Sequence, residues 1–378
     1  MNTRNIPGSR QQGLSLIELM VALVIGAVLI FGATDVYVKS RQSYGVNENV
    51  ARLQETARYA MAVLEPDIRM SNYWGMLKGA GVITGQLPQT PVGPAAVAAN
   101  PEANVCGRNF GVDVATNLQA DNNAYIISAN LKQPGCEALP DIATGVAWNT
   151  QAVLSSDTLT VRRASVFTTN NLPVGQLKVC TSRVAGQLVS DGTGGGCTAL
   201  ATNNYAACPC DNNVRMLSNL IVNSYYVDRN SAQQAGLPSL RRKVLTTAGG
   251  VPVFRDEEVI AGVEDMQVQF GIDPLGNTGI ATRYVNPNGV PPGAQIVSVR
   301  IWLLVRSDTG ETGFTDNRVY TYGDRLVATG TVGDITVAGA AGMAYQPSGN
   351  ADGSINGPQH VRRLLVSRTI QVRNALGT

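Results

Sequence analysis

The sequence predicts an α+β protein, with one long N-terminal α-helix packed on a mainly antiparallel β-sheet globular domain that carries long disulfide-bearing loops. Three observations carry this. An apolar run near the N-terminus continues into a helical stripe, and short runs with strand character follow it. All six cysteines lie beyond the apolar run, in segments with little pattern of their own.

The apolar run, "GLSLIELMVALVIGAVLIFGA", extends from Gly13 to Ala33 and is long enough to span a bilayer. Glu18 interrupts it. A charge at the middle of a membrane helix costs about 2.5–3.5 kcal/mol on insertion scales and usually serves a function. The polar leader 1–13 carries Arg4 and Arg10 and no acid, which keeps it cytoplasmic and sends the bulk of the chain outside. A secretory signal would end in small residues, but bulky Phe31 stands just before Ala33.

Beyond Ala33 the pattern turns amphipathic. Val46, Val50, Leu53, Ala57, Met61, Leu64 and Ile68 recur at spacings of three or four, one stripe of a helix. Glu48 precedes Arg52, and Glu55 precedes Arg58, at the spacings of solvated helix pairs. Residues 14 to about 65 thus read as one helix of about 78 Å at 1.5 Å per residue, with Pro66 ending or kinking it. The expected organisation is a leader at 1–13, a helical segment at 14–70 (14–33 apolar, 34–70 amphipathic), and a periplasmic β-rich domain at 71–378.

After "NYWG" at Asn72–Gly75, a Gly/Pro/Ala stretch to about Pro101 reads as irregular connection. Strands are expected at Ala124–Ala129, Thr158–Arg162, Leu220–Val227, Leu240–Leu245, Val263–Phe270, Ile296–Arg306 and Arg368–Val372. The segment 180–210 is the most loop-like.

Cys106, Cys136, Cys180, Cys197, Cys208 and Cys210 make an even number behind a membrane segment, which fits disulfides in an oxidising compartment. Local closure favours Cys106 with Cys136, leaving four to pair within 180–210. Metal binding by Cys197, Cys208 and Cys210 is the weaker reading, because C-x-C lacks the regular spacing of zinc sites.

Composition excludes other classes. A formal net charge of +2 over 378 residues gives no argument for a general nucleic-acid binder. The single histidine, His360, rules out His-based zinc sites, and its setting "GPQHVRR" reads as surface or sheet edge. No nucleophile-elbow, P-loop or zincin pattern occurs, so neither an enzyme nor a cofactor is expected. "SGNADGSIN" offers Asn350, Asp352 and Ser354 as oxygen ligands, but Gln359 stands where a calcium loop places its bidentate Glu, and a polar turn is the better reading. Arg241, Arg242, Lys243, Arg362 and Arg363 could form a basic patch, though only 6% of residues are aromatic and a single-strand binder needs stacking platforms.

"G-LSLIELMVALVIGAVLI", Gly13 through Ile30, resembles the class III signal of type IV prepilins and pseudopilins. The resemblance implies cleavage by a membrane prepilin peptidase between Gly13 and Leu14, methylation of Leu14, and a mature chain of 365 residues (378 − 13). It also implies that Glu18, fifth in the mature chain, pairs with the N-terminal amine of a neighbouring subunit. Gly26 and Gly32 would allow local unwinding. The helix-breaking proline of major pilins is replaced here by Asp35.

"RLQETARYAMAVLEPDIRMSNYWG", "SSDTLTVRR", "VIAGVEDMQVQFGID", "VSVRIWLLVRS" and "TIQVRN" resemble the PilW class of type IV pilus minor pilins. That implies a pilin-like fold and a place in an inner-membrane priming complex that reaches the pilus tip. Its partners would be other minor pilins, the major pilin, the assembly platform and a tip adhesin, in support of twitching motility and attachment. The shorter J-class pseudopilin of type II secretion is the alternative. A membrane-anchored periplasmic receptor or enzyme is the second.

Overall fold

A computed structural model describes residues 15–84, 114–122, 153–168, 176–191, 197–199, 216–248, 251–325 and 360–375, except 115, 154–155, 277 and 312. The chain divides into two compact units, Met1–Ala51 and Arg52–Thr378.

Helix α1 runs from Leu16 to Arg69. Its apolar stripe is buried from Leu53 onward, through Ala57, Met61, Leu64 and Ile68, whereas Val50 is 37% exposed. Pro66 neither ends the helix nor empties its last turn, which closes with the Met70 N–H donating to the Pro66 carbonyl at 3.0 Å. A proline withholds one donor and crowds the carbonyl four residues back. So close to the C-terminus that loss is confined to a single bond.

The first sheet contains β1 (Ile83–Thr84), β2 (Leu118–Asp121), β3 (Thr158–Thr168), β4 (Leu177–Thr181), β5 (Gly186–Asp191), β6 (Cys197–Ala199), β7 (Met216–Asp228), β8 (Ser239–Ala248) and β9 (Val251–Ala261). The long strand β7 organises it. One edge of β7 pairs with β3, while the other takes β4 along Met216–Asn219 and β8 along Asn223–Asp228. The second sheet orders β11 (Arg283–Val285), β10 (Val263–Asp273), β12 (Gln295–Arg306) and β13 (Arg363–Gln371), antiparallel throughout.

The expected strands on described residues lie within β3, β7, β8, β10 and β12, and the last overlaps β13. Ala124–Ala129 falls outside the described residues. The segment 180–210 is not simply loop, because β4, β5 and β6 lie in and around it. Every residue of β4, Leu177-Lys178-Val179-Cys180-Thr181, is buried, so no polar face alternates with an apolar one. A strand covered on both faces loses the period-two signature.

Gly262 is the corner between the sheets. It alone separates β9 from β10, at φ +91°, and an added Cβ would stand 3.0 Å from the Arg306 carbonyl oxygen. Its N–H donates to the Pro238 carbonyl at 2.6 Å, and its own carbonyl accepts from the Arg306 N–H at 2.8 Å. Glycine is the residue that takes this backbone conformation without strain.

Among the described residues a small apolar cluster of Leu304, Tyr320 and Tyr322 stands beside two large ones. The larger joins the buried stripe of α1 to Leu159, Val161, Tyr225 and Val227 of the first sheet and to Met266, Val268, Val299, Ile301 and Leu303 of the second. The smaller gathers Trp74, Ile83, Val179, Leu188, Leu220 and Val222. Alternate residues of β7 enter different clusters, so the strand is buried on both faces.

Candidate functional site

Helix α1 has two regions of polar contact: its start and the seat of its C-terminal turns.

Ser15 precedes α1, and its Oγ accepts the Glu18 N–H at 3.4 Å. "SLIE" has the spacing of a capping box, a local signal that the apolar run around it conceals. A carboxylate in the first turn also opposes the positive end of the helix dipole, so Glu18 contributes to helix initiation whatever else it does. The Glu18 side chain is exposed, as are Leu16 at 79% and Phe31 at 79%. Among the described residues, α1 is the one helix long and apolar enough to cross a membrane. Gly13 and Leu14 lie outside the described residues. Asp35 accepts from Lys39 at 2.8 Å, an exposed pair one helical turn apart.

The seat is polar at its centre. Asp67, buried in the last turns of α1, accepts from Arg163 Nη2 at 2.8 Å, from Asn223 Nδ2 at 2.5 Å and from the Tyr225 hydroxyl at 2.5 Å. Its partners come from β3 and from two alternate residues on one face of β7, so one carboxylate fixes the helix to two paired strands. Burial, followed by the Asp67 charge, pushes the Tyr225 hydroxyl above its ordinary range, and it stays a neutral donor. Arg373 N–H donates to the Arg69 carbonyl at 3.1 Å, and Asn72 Nδ2 donates to the Asn374 carbonyl at 2.8 Å. These bonds tie the helix exit to the C-terminal segment.

On the outer face of the second sheet, two buried ionic clusters hold the stretch after β12. Arg325 donates to both oxygens of Asp265, at 2.6 and 2.9 Å, and the Tyr322 hydroxyl donates to the same carboxylate at 2.6 Å. Arg363 bridges Glu264 at 2.6 Å and Asp316 at 3.4 Å. Gly323, at φ +62°, packs so closely on Gln267 that an added Cβ would lie 2.8 Å from its Cβ.

The residues considered for nucleic acid do not make a free basic patch. Arg241 pairs with Asp256 and Glu258, Arg242 with Glu257, Lys243 with Asp256, Arg362 with Glu311, and Arg363 with Glu264 and Asp316. Cross-strand pairing produces this, because β8 and β9 set Arg242 opposite Glu257 and Lys243 opposite Asp256. His360 is exposed, with Nδ1 2.8 Å from the Phe314 carbonyl oxygen. Cys180 is buried on β4 and disulfide-bonded. Cys197 is described by its backbone on β6, while Cys106, Cys136, Cys208 and Cys210, like Asn350, Asp352, Ser354 and Gln359, lie outside the described residues. Among the described residues no cluster of His, Cys, Asp and Glu is arranged to hold a metal.

Residues 8–34 match the prokaryotic N-terminal methylation motif, and residues 224–374 match the family described as Type IV Pilus-assembly protein W. Together the two matches support a minor pilin acting in type IV pilus assembly. The PilW match begins within β7 and takes in both ionic clusters and β13. A type IV-like pilin from Thermus thermophilus is similar in structure, at 16% identity over 53% of this chain and 86% of that chain, with a TM-score of 0.22. No curated protein matches. The PilW match points to a structural pilin rather than a catalyst and to interaction with other pilins and the assembly machinery. The prepilin motif and the exposed apolar helix fit a membrane-anchored pilin.

Proposed function

We propose that the chain is cut after Gly13, methylated at Leu14, and held in the inner membrane by residues 14–33, with its β-rich domain in the periplasm. From there it joins other minor pilins in a complex that primes a type IV pilus and stays at its tip, supporting twitching motility and attachment. The major pilin, the assembly platform and a tip adhesin are its further partners. The observation behind this reading is a prepilin methylation motif leading into an exposed apolar helix, on a chain that also matches PilW.

Glu18 carries the assembly step. After cleavage, the Leu14 amine is cationic near neutral pH, since an unperturbed α-amine titrates at about 7.7–8.0. A carboxylate in lipid is costly alone and compensated beside a cation. We place the partner amine on a neighbouring subunit. Glu18→Val is expected to leave cleavage at Gly13 intact, read by mass spectrometry of the N-terminus, and to keep the protein out of sheared pili. A variant recovered from pili at the wild-type level would rule this out. A deletion strain separates the J-class alternative, since loss of pili supports the proposal and loss of exoprotein secretion opposes it.

The cysteines serve the same domain. We assign them to disulfides formed in the periplasm, with Cys180 in the interior of the first sheet.

A further inference from the structure

A groove of about 770 Å³ runs between the C-terminal turns of α1 and strand β13. Its floor is apolar, with Ala57, Met61 and Ala62 on the helix side and Leu364 and Val366 on the strand side. Its charged lining is one-sided: Arg58, Arg69, Arg368 and Arg373 against a single carboxylate, Glu65. Glu65 is already bonded to both Arg69 and Arg368. Arg58 and Arg373 are exposed, and neither side chain has a partner among the described residues.

The strand wall is a sheet edge. Among the described residues β13 pairs with β12 alone, and Ser367, Arg368 and Thr369 are exposed in succession. An unpaired edge offers a row of backbone donors and acceptors to another strand. A strand added there would extend the second sheet, and alternate side chains would point at the helix face that carries Arg58, Met61, Ala62 and Glu65.

We infer that this groove receives an extended acidic segment of another protein, paired in β-fashion along β13, with apolar side chains over Met61 and Val366 and carboxylates toward Arg58 and Arg373. Charge complementarity selects the occupant, because a basic segment would meet four guanidiniums and one engaged carboxylate. The inference rests on the minor-pilin reading only in that it supplies a neighbouring subunit as the natural source of the segment.

The test uses the full chain in detergent and a labelled synthetic peptide alternating valine with glutamate. Saturable binding that weakens as salt rises is expected, and the same peptide with lysine for glutamate should not bind. Arg58→Glu combined with Arg373→Glu, both surface changes, should weaken binding by about tenfold or more. Of two peptides N-methylated along opposite edges, one should lose binding and the other keep it. Equal binding of the acidic and basic peptides, an unaffected double variant, or indifference to both N-methylations overturns the proposal. So does self-association of the full chain that the double variant abolishes while the peptide fails to bind, since the occupant is then a second copy. A deletion strain that keeps its pili would refute the minor-pilin reading and leave the peptide result standing.

Discussion

Asp67 shows what a single residue contributes. The carboxylate is buried with three donors around it, and Arg163 opposite is half-buried. Removing one partner of such a pair leaves the other desolvated and uncompensated, at a cost of about 3–5 kcal/mol. Asp67→Ala should therefore lower the unfolding free energy of the β-rich domain by that order, read from denaturant titration, and Asp67→Asn by less. Nothing local announced this role, because an acid beside Pro66 near a helix end reads as solvated, and its partners lie 96 and 158 residues away in sequence. Asp273 makes a different prediction. The Thr278 hydroxyl, first, and then the Thr278, Gly279 and Leu275 N–H groups hold its carboxyl at about 2. An unfolded Asp titrates at about 3.9, so the charged form stabilises the fold above that pH, and the benefit fades as pH falls through the folded value. Asp273→Asn should melt below wild type at neutral pH, and the two melting curves should converge on acidification from about pH 4 to about pH 2.

Among the elements, α1 was the most legible, since its period, length and apolar run are all local properties. The pattern could not say where burial begins, because Val50 and Leu53 lie on one stripe but only Leu53 meets the larger cluster. Leu64→Ala, at a site with no exposure, should cost about 2–5 kcal/mol, whereas Val50→Ala should stay within about 0.5 kcal/mol. Chemical denaturation of the two variants checks the contrast. In the middle of β12, buried Val299, Ile301 and Leu303 alternate with less buried Arg300 and Trp302, and that stretch was visible as alternation. Buried on both faces, β4 was not, and its Lys178 further disguises it as surface. The corner at Gly262 likewise hid inside an apparently continuous run, because what marks it is a positive φ and a carbonyl at contact distance.

At the scale of the whole molecule, a prepilin motif and an exposed apolar helix that fit a membrane-anchored pilin precede a β-rich domain on one chain. The Glu18→Val prediction belongs at this scale, because the pairing we propose for Glu18 is between subunits and not within the fold. The prepilin motif and the apolar helix were readable in sequence because they are contiguous, as were the later PilW-like segments from "VIAGVEDMQVQFGID" onward, which fall within residues 224–374. The groove beside β13 was not, because it exists only once helix and strand have been brought together. The seat of α1 also has a mechanical meaning. In the pilus we propose, tension along the helix would load the bonds from Asp67 to Arg163, Asn223 and Tyr225, which lie side by side across β3 and β7. Links loaded in parallel must break together, so this seat would resist shear along the helix.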